Sequence, residues 1–209
     1  GMYLVDSGFK KDNQERIHKG WDTVKRNVAR VQSMVSDILY YAKDRVPIWE
    51  PLSAVEVARD VCALAESRAK EQNVELVATI DPDAGQVEAD PQAVRSLLVN
   101  LIENSMDACR LDVKNSGHRV DVRLQGAPRH VRFEIEDNGI GMDQETREKA
   151  FSLFFSSKGS EGTGLGLFVS NRIARAHGGT IKLTSEPGVG TQFSVELPRI
   201  RPRQQEPED

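Results

Sequence analysis

The 209-residue sequence holds only two cysteines, Cys62 and Cys109. They lie far apart and no C-x-x-C pair occurs, which removes the usual zinc and dithiol-redox signatures. Both sit in apolar, helix-like surroundings, so they read as buried free thiols of a protein kept in a reducing cytoplasm. Also missing is any apolar run long enough to span a membrane, and any signal peptide. A membrane span is therefore expected only in a longer parent chain. Positive charge is not in excess. A net charge of -4 speaks against non-specific nucleic-acid binding, although glycine-rich backbone and one or two cations can still hold phosphates. Neither common phosphate motif is present: no G-x-x-x-x-G-K-[ST], and no G-x-G-x-x-G directly after a strand. Charged residues at 29% and hydrophobic ones at 38% fit a soluble globular domain of ordinary size plus an appendage.

The appendage comes first. Residues 12–45 read as one long helix. Ile17, Trp21, Val24, Val28, Val31, Val35, Ile38 and Ala42 follow the four-three spacing of a heptad seam, widened by Met34, Leu39 and Tyr41. A sustained 3.5-residue period favours supercoiled helices over one helix lying on a globule. Residues 3–10 read as the end of an earlier helix closed by a turn at Ser7-Gly8, so the chain is expected to begin inside an element of a longer protein. Arg45 to Pro51 reads as a linker, because Pro47 and Pro51 remove donors and bias their predecessors toward extended backbone.

A second domain is expected from residue 52. Residues 53–72 read as a helix capped by Ser53, 74–80 as a strand, and 91–110 as a helix capped by Asp90 with Pro91 at its first position. Residues 120–125 and 130–136 read as one hairpin, and 180–186 with 191–198 as another. Between them a helix runs from Gly164 to His177. Helices and strands without strict alternation imply an α+β, two-layer sandwich of helices on one face of a mixed sheet. The segment 199–209, rich in Arg, Gln, Glu and Pro, is expected to be disordered.

Four segments carry chemistry. In LLVNLIENSMDA (97–108), Asn100, Asn104 and Asp107 fall at i, i+4, i+7 and share one helix face. A neutral amide oxygen suits Mg²⁺ when phosphates supply the other ligands, though such asparagines also serve as capping or packing residues. In EDNGIGM (136–142), two glycines permit a tight turn beside a flat ligand, and Asp137 can accept from an exocyclic amine such as adenine's. A plain β-turn would look the same. In SSKGSEGTGLGLF (156–168), Gly162, Gly164 and Gly166 alternate just before a helix, where backbone N–H groups and the helix N-terminus favour phosphate. Lys158, Ser156, Ser157 and Thr163 add donors. In GVGTQFSVELP (188–198), Thr191 begins a strand and could reach an adenine-bound water.

In this order the segments resemble the sensor histidine kinases. Asn100-Leu-Ile-Glu-Asn104 is similar to their N box, and Asp137-Asn-Gly139-Ile-Gly141 to the G1 box. Phe151-Ser-Leu-Phe154-Phe155-Ser-Ser-Lys158 is similar to the F box and the start of the ATP lid. Gly162-Thr-Gly164-Leu-Gly166-Leu resembles the G2 box, and Gly190-Thr191-Gln-Phe193 the closing motif. The resemblance spans roughly residues 10–198. It implies a Bergerat-type α/β sandwich that binds ATP and Mg²⁺ behind a coiled-coil-like helix. Asn104 would ligate the metal, and Asn100 and Lys158 would join it as catalytic residues beside the phosphates. Asp107, Asp137, Gly139, Gly141, Met142, Phe154, Gly162, Thr163, Gly164, Leu165, Gly166, Leu167 and Thr191 would bind the nucleotide.

It further implies a partial dimerisation and phosphotransfer segment over 1–46, a catalytic domain over 52–198, a homodimer formed through the N-terminal helix, and a response-regulator receiver domain as partner. Relatives of the same fold that hydrolyse ATP place a glutamate where this chain has Asn100, and an amide cannot serve as a base at neutral pH. Transfer to a protein histidine is thus the expected reaction. The H box that bears such a histidine is absent. His18, His118, His130 and His177 all lack its context, so this chain is expected not to phosphorylate itself. The alternative is a kinase-like, nucleotide-sensing dimerisation module without transfer. A serine-directed kinase or an ATPase of the same fold is disfavoured by the heptad helix and Asn100. The lid between Lys158 and Gly162 is short, as in nitrogen-regulation kinases.

Overall fold

The computed structural model describes residues 1–42, 46–157 and 162–202; of residues 26, 29, 30 and 32–42 it describes the backbone alone. Helix α1 (Met2–Lys10) and helix α2 (Gln14–Ala42) form an antiparallel hairpin. The expected turn at Ser7-Gly8 is not there, and α1 runs straight through it. Gly8 is buried because α2 comes so close that a Cβ would lie 2.6 Å from Ile17 Cγ1. The chain reverses instead at Asp12 and Asn13. Asn13 Oδ1 accepts the Arg16 N–H at 2.9 Å and so starts α2. Trp21, Val28 and Val31 of the heptad seam are exposed. The side chains of Val35, Ile38 and Ala42, and of Met34, Leu39 and Tyr41, lie outside the described residues.

The following unit is a two-layer α+β sandwich, as the sequence pattern predicts. Five strands run in the order β2 (Glu75–Ile80), β4 (Arg119–Gly126), β5 (His130–Asp137), β7 (Gly190–Pro198), β6 (Thr180–Glu186). Only β2 and β4 pair in parallel; the other pairs are antiparallel. One face of the sheet is apolar, with Val120, Val122 and Leu124 of β4, Phe133 and Ile135 of β5, and Phe193, Val195 and Leu197 of β7 buried. Helices α3 (Ala54–Glu71), α4 (Pro91–Leu111) and α6 (Gly166–Ala176) cover it. Helix α4 is central and buries Leu97, Leu98, Leu101, Ile102 and Met106. The other face carries ion pairs such as Arg123–Glu136 and Arg132–Glu196, both at 2.7 Å.

Helix starts follow the caps read from the sequence. Ser53 accepts from Glu56 N, and Asp90 accepts from the N–H groups of Gln92 and Ala93. Three elements were not anticipated. A small sheet pairs β1 (Glu50–Ser53) with β3 (Gln86–Ala89), so Pro51, read as linker, sits in an edge strand where its missing N–H costs no ladder bond. A short helix α5 (Gln144–Lys149) is capped by Asp143. The tail expectation fails for its first residues. Arg199 Nε donates to Ala127 O at 2.7 Å, Glu88 N donates to Arg199 O, and Arg201 N donates to Glu88 Oε2. Residues 203–209 lie outside the described ones. Among the described residues no helix is long and apolar enough to cross a membrane.

Candidate nucleotide site

The four sequence segments converge on one cavity of about 230 Å³ between α4, the loop after β5, the loop before α6, and the start of β7. Asn100, Asn104 and Asp107 line it from α4, and Asp137, Gly141 and Met142 from the β5 loop. Gly162, Thr163, Gly164, Gly166 and Leu167 line it from the α6 side, and Thr191 from β7. Gly139, Phe154 and Leu165 are not part of this lining. Leu165 is buried beneath the loop and Phe154 is 68% exposed. Lys158 lies outside the described residues.

The polar groups are held in place. Asn100 Nδ2 donates to Ser170 Oγ of α6 at 2.7 Å, and Asn100 Oδ1 accepts from Asn104 Nδ2 at 3.3 Å. The amide nitrogen of Asn104 is thus the end that faces Asn100, and a hard cation would use the other end, its carbonyl oxygen. Asp137 is only 4% exposed, and its Oδ1 accepts the Gly139 N–H at 3.1 Å. This local bond closes the turn and fixes the carboxylate at the wall of the cavity. Its charge, after burial itself, is among the causes that push the neighbouring Cys109 thiol up to about 12. Asp107 pairs with Arg68 of α3 at 3.2 Å and with Arg110 at 3.7 Å. Glu103 turns away from Asn104 as the 100° helical step requires and pairs with Arg68 at 2.7 Å, yet it still forms part of the cavity edge.

A buried hydroxyl that the sequence reading passed over, Ser185, joins Thr191 to organise the opposite wall. Ser185 Oγ donates to Gly190 O, lies 2.9 Å from Thr191 Oγ1, and accepts the Met142 N–H at 2.8 Å. It ties the β6–β7 hairpin to the loop that carries Asp137. The signal was available, since Ser185 pairs with Thr191 across the strands and both fall on the buried face. Ile140, Phe155 and Phe193, which lie in the quoted motifs without an assigned role, also line the cavity, as do Thr146 and Ala150, which were likewise unanticipated. Thr146 and Ala150 carry no local mark in the sequence.

Glycines of these loops have roles other than ligand clearance, and Gly141 and Gly166 show it. Gly141 has φ +63°, and a Cβ there would lie 1.9 Å from Glu186 O. A Cβ on Gly166 would meet Asn100 Oδ1 at 2.4 Å. The first lets the β5 loop seat on the β6–β7 turn, and the second lets the start of α6 seat on the Asn100 amide. Helix α6 has no side-chain cap at its N-cap residue Leu165, and Gly166 and Leu167 of its first turn line the cavity. Phe154 N donates to Gly164 O at 2.9 Å and closes the base of the intervening loop.

Charge around the cavity is one-sided. Among the described lining residues there are three carboxylates, Glu103, Asp107 and Asp137, and no lysine or arginine. The described residues contain no cluster of three or more His, Cys, Asp or Glu able to hold a metal. A cation here would need a ligand to bring most of its coordination. This fits Asn104 as a single neutral oxygen donor completed by phosphates.

Comparison with known proteins agrees with this geometry. The chain is 27% identical over 194 residues to the signal transduction histidine-protein kinase AtoS of Escherichia coli, covering 91% of this chain and 31% of AtoS. It is 32% identical over 173 residues to the sensor histidine kinase ZraS of Klebsiella oxytoca, covering 83% of this chain and 36% of ZraS. The chain therefore spans about a third of the length of these curated relatives. Among solved structures, the nucleotide-free catalytic domain of histidine kinase ThkA superposes with a TM-score of 0.64 at 27% identity, covering 73% of this chain and 97% of that one. Residues 89–201 match the family described as histidine kinase-, DNA gyrase B- and HSP90-like ATPase, and with just over half its residues inside that match the chain belongs to this family, as a catalytic ATP-binding domain of histidine-kinase type.

Proposed function

We propose that the chain binds Mg-ATP in this cavity and serves as the catalytic part of a sensor histidine kinase, passing the γ-phosphoryl group to a histidine supplied by a longer protein. The observation that carries the reading is Asn100. At the wall nearest the start of α6 the chain offers an amide whose nitrogen is bonded to Ser170 and whose oxygen is bonded to Asn104. Neither atom can take a proton from water at neutral pH. A site that positions and neutralises without activating water suits transfer to a protein side chain. The hydrolytic reading of the same fold has no base to rest on at this position.

In this reading the adenine lies against Asp137, Met142 and Thr191, with the amine donating to the Asp137 carboxylate. The phosphates run toward the first turn of α6 and the glycine loop. Bound Mg²⁺ would offset phosphate charge in a lining that itself carries three carboxylates, and Asn104 would hold it. Lys158 would add a cation from the loop. Residues 1–46 would form the dimerisation segment, since Trp21, Val28 and Val31 leave an apolar stripe exposed. Residues 52–198 would form the catalytic domain. A receiver domain is the proposed downstream partner, and the location proposed is the cytoplasmic side. The same fold, at 24% identity, occurs in ThkA crystallised with the response regulator TrrA, and at 23% in full-length ShkA with AMPPNP.

The test is calorimetric titration with a non-hydrolysable ATP analogue, with and without Mg²⁺, on this chain and on Asp137→Asn. The substitution keeps an oxygen for the Gly139 N–H and removes the charge. Hydrogen bonds to a charged group contribute about 1.5–3 kcal/mol, so affinity should fall roughly tenfold to a hundredfold. Saturable binding unchanged in the variant would move the adenine away from Asp137. No binding by the folded unmutated chain would sink the catalytic reading in favour of a kinase-like scaffold.

A further inference from the structure

The chain that enters the catalytic unit docks at the far ends of the two helices that build the cavity. Asp90 is the centre of this contact. Its Oδ1 caps α4 through the N–H groups of Gln92 and Ala93, both at 3.0 Å, and its Oδ2 accepts the Ile48 N–H at 3.2 Å. Its own N–H donates to His177 Nε2 at 3.0 Å. His177 closes α6, is 1% exposed, and places Nδ1 2.8 Å from Ile173 O. A carbonyl can only accept, so Nδ1 carries the proton and Nε2 is the acceptor. Both ring nitrogens are therefore committed, one to each helix. The ring also receives Trp49 from the linker, with centroids 5.2 Å apart at 58°. The Arg201 guanidinium sits 5.4 Å from the Trp49 centroid, so the C-terminal segment joins the same cluster.

This cluster lies away from the cavity but on the same rigid bodies. Asn100 and Asn104 stand about 15 and 21 Å along α4 from Asp90, and the first turn of α6 about 16 Å from His177. At the cavity the two helices are joined again by the Asn100–Ser170 bond. The helices are thus fastened to each other at two levels, at the Asp90–His177 end and near the middle of each helix, and a change of their relative setting at one level must be taken up at the other. We propose that His177 is a positioning residue that ties the entering linker to both helices of the nucleotide site, so that the seating of Trp49 on His177 and occupancy of the cavity are coupled. This rests on the nucleotide reading above. Because the coupling is an equilibrium one, it acts in both directions: nucleotide firms the seat of Trp49, and unseating Trp49 weakens nucleotide.

The sequence contains two tryptophans, so Trp21→Phe leaves Trp49 as sole reporter in the full 209-residue chain. The non-hydrolysable ATP analogue with Mg²⁺ is titrated by calorimetry and, in parallel, by Trp49 emission and its quenching by acrylamide. Saturable heat with a matching Trp49 transition and reduced quenching is expected. In the same background Trp49→Ala should weaken the analogue about fivefold, near the lower end of ordinary coupling, while Trp49→Phe, which keeps a ring on His177, should restore most of the affinity. Both variants change a half-buried linker residue, so folding is checked by thermal melting without touching the buried histidine. Saturable heat with a flat Trp49 signal, or unchanged affinity in Trp49→Ala, overturns the coupling alone. Absence of heat from the folded chain overturns the nucleotide reading and the coupling with it.

Discussion

Gly141→Ala separates two costs that usually come together. The backbone at Gly141 is left-handed, φ +63°, and an added Cβ would lie 1.9 Å from Glu186 O and 2.7 Å from Glu186 C. Both are backbone atoms of the β6–β7 hairpin, so no side chain can swing aside. The hairpin is also tied to the loop by the bonds from Met142 N to Ser185 Oγ and from Gly188 N to Ile140 O, each at 2.8 Å. Gly188 provides the control. Its φ is +73°, yet nothing lies within 4 Å of a Cβ there. Left-handed backbone costs an alanine about 1–2 kcal/mol, and forced displacement in a packed region about 1–3 kcal/mol more. Gly188→Ala should therefore lose about 1–2 kcal/mol, and Gly141→Ala about 2–5 kcal/mol. For a chain of this size that corresponds to a fall in Tm of about 2–8 °C for the first and about 4–20 °C for the second. Differential scanning calorimetry supplies the stabilities, and titration with the ATP analogue supplies the affinities. Only Gly141→Ala should weaken nucleotide, because only it pushes the Asp137 loop off its support. Equal melting shifts in the two variants, or unchanged nucleotide affinity in a folded Gly141→Ala, would refute the packing argument.

Asp90→Ala removes the acceptor for two α4 N–H groups and for Ile48 N, and should cost about 1–2 kcal/mol in chemical denaturation, at the upper end for a helix cap; a loss below about 0.5 kcal/mol would mean that water replaces the cap. Asn100→Asp adds a fourth carboxylate to a lining that already holds three, while Ser170 can still donate to it, so the fold should survive and affinity should fall more for Mg-free ATP than for Mg-ATP; an equal loss for both would remove the electrostatic explanation. Cys109 is raised from 9.0 to about 12, and Cys62 from 9.0 to about 11, in each case by burial first. Both thiols should resist iodoacetamide at pH 8 until the chain is denatured. Because these folded-state values lie above the unfolded ones, the stability they contribute is complete below pH 9 and is lost as pH rises from 9 toward 12; denaturant midpoints that hold constant over that range would contradict it.

Much of the fold was legible because local chemistry and global packing agree. Asp90-Pro91 starts α4 in the sequence and in the structure, and Ser53 starts α3, since caps are satisfied by groups two or three residues away. The alternation of Val120, Val122 and Leu124, and of Val131, Phe133 and Ile135, gave the hairpin and its buried face. The misses share the opposite property. Strands β1 and β3 have four residues each and exist only because they pair with one another across more than thirty positions. Gly8 looked like a turn because glycine in a helix interior is unfavourable locally, and only the approach of α2 explains it. The docking of Arg199 and Arg201 was hidden by a composition that suggests disorder, while the contacts to Ala127 and Glu88 that order them are remote in sequence.

The site shows a subtler limit. The sequence reading assigned the glycines of both loops to a ligand, and in the structure both loops border one cavity. The structure gives those glycines work that needs no ligand: Gly141 clears Glu186, Gly166 clears Asn100, and Gly139 clears the Ala108–Cys109 backbone at 2.5–2.6 Å. A chain that had lost nucleotide binding would still need them to pack its loops. The glycine pattern therefore identifies this wall architecture and is silent on whether the cavity is used. What separates a working site from a degenerate scaffold is the chemistry of the polar side chains at the cavity wall rather than the clearance of the loops. Asn104 lines the cavity and bonds to Asn100 one helical turn away, and Asp137 is a carboxylate at 4% exposure beside the apolar wall of Met142 and Phe193. Burying a charge there works against folding unless something repays it. The Gly139 N–H already ties Asp137 to its loop, and a ligand amine would give its buried charge a further partner, so the weight of the functional reading rests on Asp137 and the two asparagines rather than on the glycine loops.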